Sequence, residues 1–148
     1  MKNKLLFSIF ISLLCLNIDA QTANHGYYKV DGAKYKNASG QVIWSDEIAV
    51  MNSSVASFQV YFKKIPTVSG KYTVQEHLAF RAGNNENEAS VVLYFFDSDQ
   101  YWSVTPTKGS VEVKVNAKQT SIIVKNVKIC VNGTEKCKTV SGQIILGN

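Results

Sequence analysis

The chain has 148 residues, 45% of them apolar and 18% charged, with a formal net charge of +5. This length suits one domain with a sizeable core, and this apolar fraction excludes a disordered or low-complexity chain. Arg81 is the only arginine, so the positive charge lacks the guanidinium forks that dedicated phosphate recognition favours, and no nucleic-acid partner is expected.

Lys2 and Lys4, the apolar run from Leu5 to Leu16, and Ile18-Asp19-Ala20 form the pattern of a secretory signal peptide cleaved after Ala20. The run is shorter than the roughly 20 apolar residues that cross a bilayer, and no later stretch supplies them, so no membrane span is expected. Cys15 follows Leu14, whereas a lipid-modified cysteine follows a small residue. The expected organisation is a leader over 1–20 and a single β-domain over 21–148, secreted or periplasmic. The remaining charge is uneven, with seven lysines against Glu112 and Glu135 from Lys108 onward. Lys114, Lys118, Lys125 and Lys128 could draw the domain weakly toward anionic surfaces. They also read as the solvated face of edge-protecting strands.

In chain order, Asp31-Gly32 between Tyr27–Val30 and Ala33–Lys36 predicts a two-residue hairpin with positive φ at both turn residues. A turn is expected at Asn37–Gly40. Gln41–Met51 then reads as one strand carrying Val42, Trp44, Ile48 and Val50 on one parity, with a bulge or bend near Ser45–Glu47. In Val55–Lys64, Phe58, Val60 and Phe62 alternate with Ser57, Gln59 and Tyr61, which sets the first group inward. Pro66 stops that strand. Lys71–Phe80 reads as a strand with Tyr72, Val74, Leu78 and Phe80 inward, and Ala82–Glu88 as an exposed loop.

Ser90–Asp97 is apolar on both parities, the pattern of a central strand covered on both faces. Tyr101–Val104 continues the β character until Pro106. Val111, Val113 and Val115 alternate with polar residues. After a turn at Asn116–Gln119, Ile122 and Val124 take one parity and Val127 and Ile129 the other, so a bulge near Lys125-Asn126 is expected to restore them to one face. Lys138–Leu146 is the last strand. No stretch has ten residues of helical period with a cap and a stop. The fold class is therefore all-β, an antiparallel sandwich of about eight to ten strands, with a small lipocalin-like barrel as the alternative.

Two cysteines remain once Cys15 leaves with the leader. Cys130 and Cys137 flank the Asn132-Gly133 turn, and an exported chain with this spacing is expected to bridge them as a structural disulfide. Of the two histidines, His25 lies in the polar lead and His77 on the outward parity beside Glu76. Neither belongs to a zinc spacing, and no nucleophile elbow or phosphate-binding glycine loop occurs. Glu88 and Asp97 lie nine strand steps apart, about 30 Å, well beyond the roughly 5 to 9.5 Å of a glycosidase pair. Asp97-Ser98-Asp99 and Asn84–Glu88 read as solvated turns, and no metal or cofactor is expected. Tyr94, Phe96, Tyr101 and Trp102 cluster near one strand end. They read as core filling or, for Tyr94, Tyr101 and Trp102, as a platform for a glycan or small ligand.

Lys29-Val30-Asp31-Gly32-Ala33-Lys34-Tyr35, Gly70-Lys71-Tyr72-Thr73-Val74, Lys108-Gly109-Ser110-Val111-Glu112-Val113 and Val140-Ser141-Gly142-Gln143-Ile144 together resemble small exported β-sandwich proteins of unknown function from Gram-negative bacteria. The resemblance implies a fold and a compartment and brings no catalytic residues with it; the Cys130 and Cys137 pair departs from it. The function expected is that of an exported non-enzymatic interaction or structural module. A glycan or small-ligand binder is the alternative, and a hydrolase with an unfamiliar site the third reading.

Overall fold

Period-two alternation runs through most of the domain and gives eleven strands and one short helix. The strands are β1 His25–Val30, β2 Ala33–Lys36, β3 Val42–Ser45, β4 Ile48–Asn52, β5 Ala56–Phe62 and β6 Gly70–Val74. After the helix α1, His77–Ala82, come β7 Glu88–Phe95, β8 Gln100–Val104, β9 Ser110–Val115, β10 Gln119–Val131 and β11 Cys137–Gly147. This computed structural model describes residues 24–36, 42–96, 100–104, 109–131 and 134–148, with backbone alone for 100, 101, 103 and 104. The leader, the Asn37–Gly40 turn, Asp97–Asp99, Pro106 and Asn132-Gly133 lie outside the described residues.

The all-β class expected from the sequence holds, as one curled sheet with a parallel β6–β7 pair and not as the two stacked antiparallel sheets of a sandwich. The strands belong to one hydrogen-bonded sheet ordered β2-β1-β11-β10-β9-β6-β7-β5-β4-β3, with β8 off that path and paired to both β10 and β7. Between β10 and β7 the sheet thus carries two strands, β9 and β6, at one end and only β8 at the other. This fork, added to the ordinary right-handed twist, curls the sheet into a half-barrel. Asn24 ties its two limbs together: the side-chain amide donates to the Val42 carbonyl of β3 at 2.9 Å and accepts from the Gly147 N–H of β11 at 2.7 Å.

The concave side is filled. Tyr28, Met51, Phe58, Val60, Val91, Leu93, Ile122, Ile129, Ile144 and Leu146 are all fully buried there. β7 is the central strand that its sequence predicts, with β5 along one edge and β6 then β8 along the other. Ala89 through Leu93 have no exposed surface. The β10 bulge also forms as expected: the register slips by one between Val124 and Val127. Asn126 takes φ +49°, its N–H and side chain both bonding Ser141 Oγ. Ile122, Val124, Val127 and Ile129 consequently all face the core.

Two expected strands are different. The single strand expected over Gln41–Met51 is, from Val42 onward, a hairpin, β3 and β4, reversing at Asp46-Glu47, where Asp46 takes φ +49°. The reversal swaps the parity, so Ala49 and Met51 are buried while Ile48 and Val50 are half-exposed. Lys71–Phe80 is β6 followed by α1. The Glu76 carboxylate accepts from the Ala79 N–H and caps the helix, which buries His77 and Phe80 and leaves Leu78 65% exposed.

Candidate functional site

The Asp31-Gly32 turn forms as the sequence predicts, with φ +48° and +91°. Asp31 then does more than turn the chain. Its N–H donates to the Thr139 carbonyl, its Oδ1 accepts from the Thr139 N–H at 2.9 Å, and its Oδ2 accepts from the Lys138 ammonium at 3.2 Å. These bonds, that from Thr139 above all, hold the Asp31 carboxyl below the usual carboxylate range. The first hairpin is thereby clamped onto the start of β11.

Cys130 and Cys137 sit one residue from that clamp, at disulfide distance with Cα atoms 4.0 Å apart. The Val131 N–H donates to the Lys136 carbonyl, which makes Cys130 and Cys137 a non-hydrogen-bonded pair of the antiparallel ladder, where side chains approach closest. Turn, clamp and cysteine pair all fall at one mouth of the half-barrel.

That mouth holds a cleft of about 430 Å³ lined by Val30, Asp31, Ala33, Tyr35, Phe95, Trp102 and Lys138. Trp102 reaches it because β8 lies between β7 and β10, opposite Leu93 and Val131. Its ring is 5% exposed, stands edge-on to Phe95 at 6.3 Å, and lies 5.6 Å beneath the Lys138 ammonium. The indole Nε1–H is the only buried side-chain polar atom without a hydrogen-bond partner among the described residues. On the opposite wall Tyr35 stacks on Tyr28, which packs on Phe58, so an aromatic row runs from the cleft into the core. Burial pushes the Tyr28 phenol up, and its hydroxyl shares a 2.8 Å bond with Ser53.

Of the three aromatic residues singled out from the sequence, Trp102 and Tyr94 do not share one face. Trp102 pairs with Leu93 and faces inward, whereas Tyr94, the next residue of β7, faces outward. Tyr94 is half-buried beside the exposed Phe96, and the Tyr101 side chain is outside the described residues. Sequence reading missed Tyr35, Phe95, Asp31 and Lys138 as a group, since Asp31 and Lys138 stand 107 residues apart. The Asp-Gly turn and the cysteine spacing were the available signals.

Among the described residues some of the basic side chains are paired with an acid. Glu112 sits among them with Lys125 at 2.7 Å and Lys114 at 3.9 Å; the Lys125 bond, then the charges of Lys125, Lys114 and Lys71, hold its carboxyl low. Lys118 and Lys128 are exposed on β10 and the turn before it.

His77 belongs to a different cluster, on the convex side. Its Nδ1 lies 3.3 Å from Ser90 Oγ and its ring is edge-on to Tyr61 at 4.6 Å, while Tyr61 donates to Gln59 and Gln59 to Ser57. Ser90 is fully buried in β7, with its hydroxyl against His77. Burial, then the Arg81 charge, push the His77 imidazole below its ordinary value, with Glu76 opposing. A second cleft of about 400 Å³ at the far end of β11 is lined by Trp44, Ile65, Pro66, Thr67, Val115, Thr120, Gly147 and Asn148. Among the described residues no helix is long and apolar enough to cross a membrane. Comparison with protein-family models, with curated proteins and with solved structures gives no match for this chain.

Proposed function

We propose that the chain is an exported, non-enzymatic binding module that takes a small ligand in the cleft between Tyr35, Phe95 and Trp102. The observation that carries this reading is the cleft's construction. An aromatic and aliphatic interior is rimmed by one fixed charged pair, Asp31 and Lys138, which is the usual composition of small-molecule sites. Its volume suits a ligand of one or two rings. The surroundings are clamped by the Asp31 turn and by the cysteine pair, so little ordering cost falls on binding. A flat platform for an extended glycan is less well served, because Trp102 is buried to its edge and Tyr94 faces the other side of the sheet.

Export is part of the proposal. Leader cleavage after Ala20 would leave Cys130 and Cys137 as the only thiols, and an oxidising compartment would bridge a pair already at bonding distance. The resemblance to exported Gram-negative β-sandwich proteins points the same way.

A thermal-shift screen of small metabolites on the oxidised domain tests the binding reading, run in parallel on Ala33→Phe. Ala33 is exposed at the rim, so a phenyl group there blocks the mouth without touching the core. Compounds that raise Tm in the wild type are expected to lose that effect in the variant. Equal shifts in both proteins would place the ligand elsewhere and remove the cleft as the site.

A further inference from the structure

Resting on the cleft reading above, we infer that the ligand is an apolar, ring-sized acid, its body between Tyr35, Phe95 and Trp102 and its carboxylate on Lys138. The cleft's polar atoms divide unequally into donors and acceptors. Each oxygen of Asp31 already accepts one bond, from the Thr139 N–H and from the Lys138 ammonium. Lys138 has three N–H donors and gives one of them to Asp31. Trp102 adds an indole N–H, a donor only, that has no acceptor. Among the described residues, the one buried polar atom of the lining left without a partner is therefore a donor, the Trp102 indole N–H.

Charge and shape narrow the class further. A cationic ligand would meet the Lys138 ammonium at the rim, 5.6 Å from the face of Trp102 where a cation would otherwise sit. A neutral sugar needs polar partners all round its hydroxyls, and the side chains of Val30, Ala33 and Phe95 offer none on much of the wall. An apolar ring with one carboxylate fits the aromatic walls and the surplus of donors together. Asp31 is the like charge at this rim; its side chain is 51% exposed and that of Lys138 37%, so water screens both, and their bond fixes the ammonium in position.

The test uses the oxidised full domain carrying Trp44→Phe, which leaves Trp102 as the single tryptophan and its indole N–H as a single, unambiguous ¹⁵N resonance. Two probes with the same body and opposite charge are titrated, 3-phenylpropionate and 3-phenylpropylamine. The acid is expected to move the Trp102 indole resonance saturably and the amine to leave it in place. Lys138→Met is expected to weaken the acid by about tenfold or more, the worth of one charge-assisted hydrogen bond, and Lys138→Arg to retain it within a few-fold. Should Lys138→Met not fold, the acid and amine comparison with Lys138→Arg still decides. An amine that moves the resonance as far as the acid, or an acid indifferent to Lys138→Met, would overturn the acid class while leaving a ligand in the cleft. No movement with either probe, together with no Ala33→Phe effect in the thermal screen, would overturn both.

Discussion

Leu93 and Trp102 face each other across β7 and β8, and their burial answers two questions that their side-chain types leave open. Leu93 is fully buried on the concave face with neighbours on both strand edges. Leu93→Ala is expected to cost about 2 to 5 kcal/mol in chemical denaturation; a loss under about 1 kcal/mol, the range of surface positions, would make β7 peripheral. Gly109 is set by its backbone: its φ is +111° and a Cβ on it would fall 2.5 Å from the Val127 Cα, so no side chain fits beside the β10 bulge. Gly109→Ala is expected to destabilise by more than about 1 kcal/mol, and an unchanged denaturation midpoint would contradict the packing of that turn on Val127. His77 brings a pH dependence. Its folded pKa is depressed below the ordinary 6.5, so the unfolded chain binds more protons and stability falls as pH drops below about 6.5, continuing to the lower folded value. His77→Asn is expected to flatten that part of the stability profile between about pH 7 and 5. A slope unchanged by the substitution would assign the acid sensitivity to other groups.

Elements with a clear apolar pattern were legible in the sequence, and those ended by an unusual turn were not. β5, β7, β9 and the bulged β10 follow from the spacing of Phe58, Val60 and Phe62, of Val91 and Leu93, and of Val111 and Val113. The bulge at Asn126 was readable because four β-branched residues changed parity across it. The β3 to β4 reversal was hidden because Asp46-Glu47 contains no glycine, yet Asp46 accepts positive φ. Helix α1 was hidden by its length: six residues give less than two turns, too few for a period to show. The cleft was half legible. Trp102 and the Asp-Gly turn stood out, whereas the bonds from Asp31 to Thr139 and Lys138 join the two ends of the domain and leave no local trace. For the β10 to β11 hairpin, a bridge between Cys130 and Cys137 closes a loop of about eight residues and should stabilise by about 2.5 kcal/mol on the chain-entropy model. Mass spectrometry of the purified protein, alkylated without reduction, checks the bond itself. Two alkylated cysteines, or a dimer linked through them, would contradict it.

The half-barrel gathers its stiffest features at one mouth and leaves the other to side chains of β3, β10 and the loop after β5. At the first mouth the strand fork narrows to β8, the Asp31 turn locks onto Thr139, and the cysteine pair closes the longest hairpin. The concave side is filled by the core, and of the two clefts at the mouths only the first combines aromatic walls with a fixed ion pair among the described residues. A crystal structure of the oxidised domain with a stabilising compound from the thermal screen decides where ligand sits. Density between Tyr35, Phe95 and Trp102, within hydrogen-bonding reach of Lys138, is the expected result. Density confined to the outer face beside Tyr94, or to the far cleft at Trp44 and Ile65, would contradict a binding site at the mouth that carries the cysteine pair.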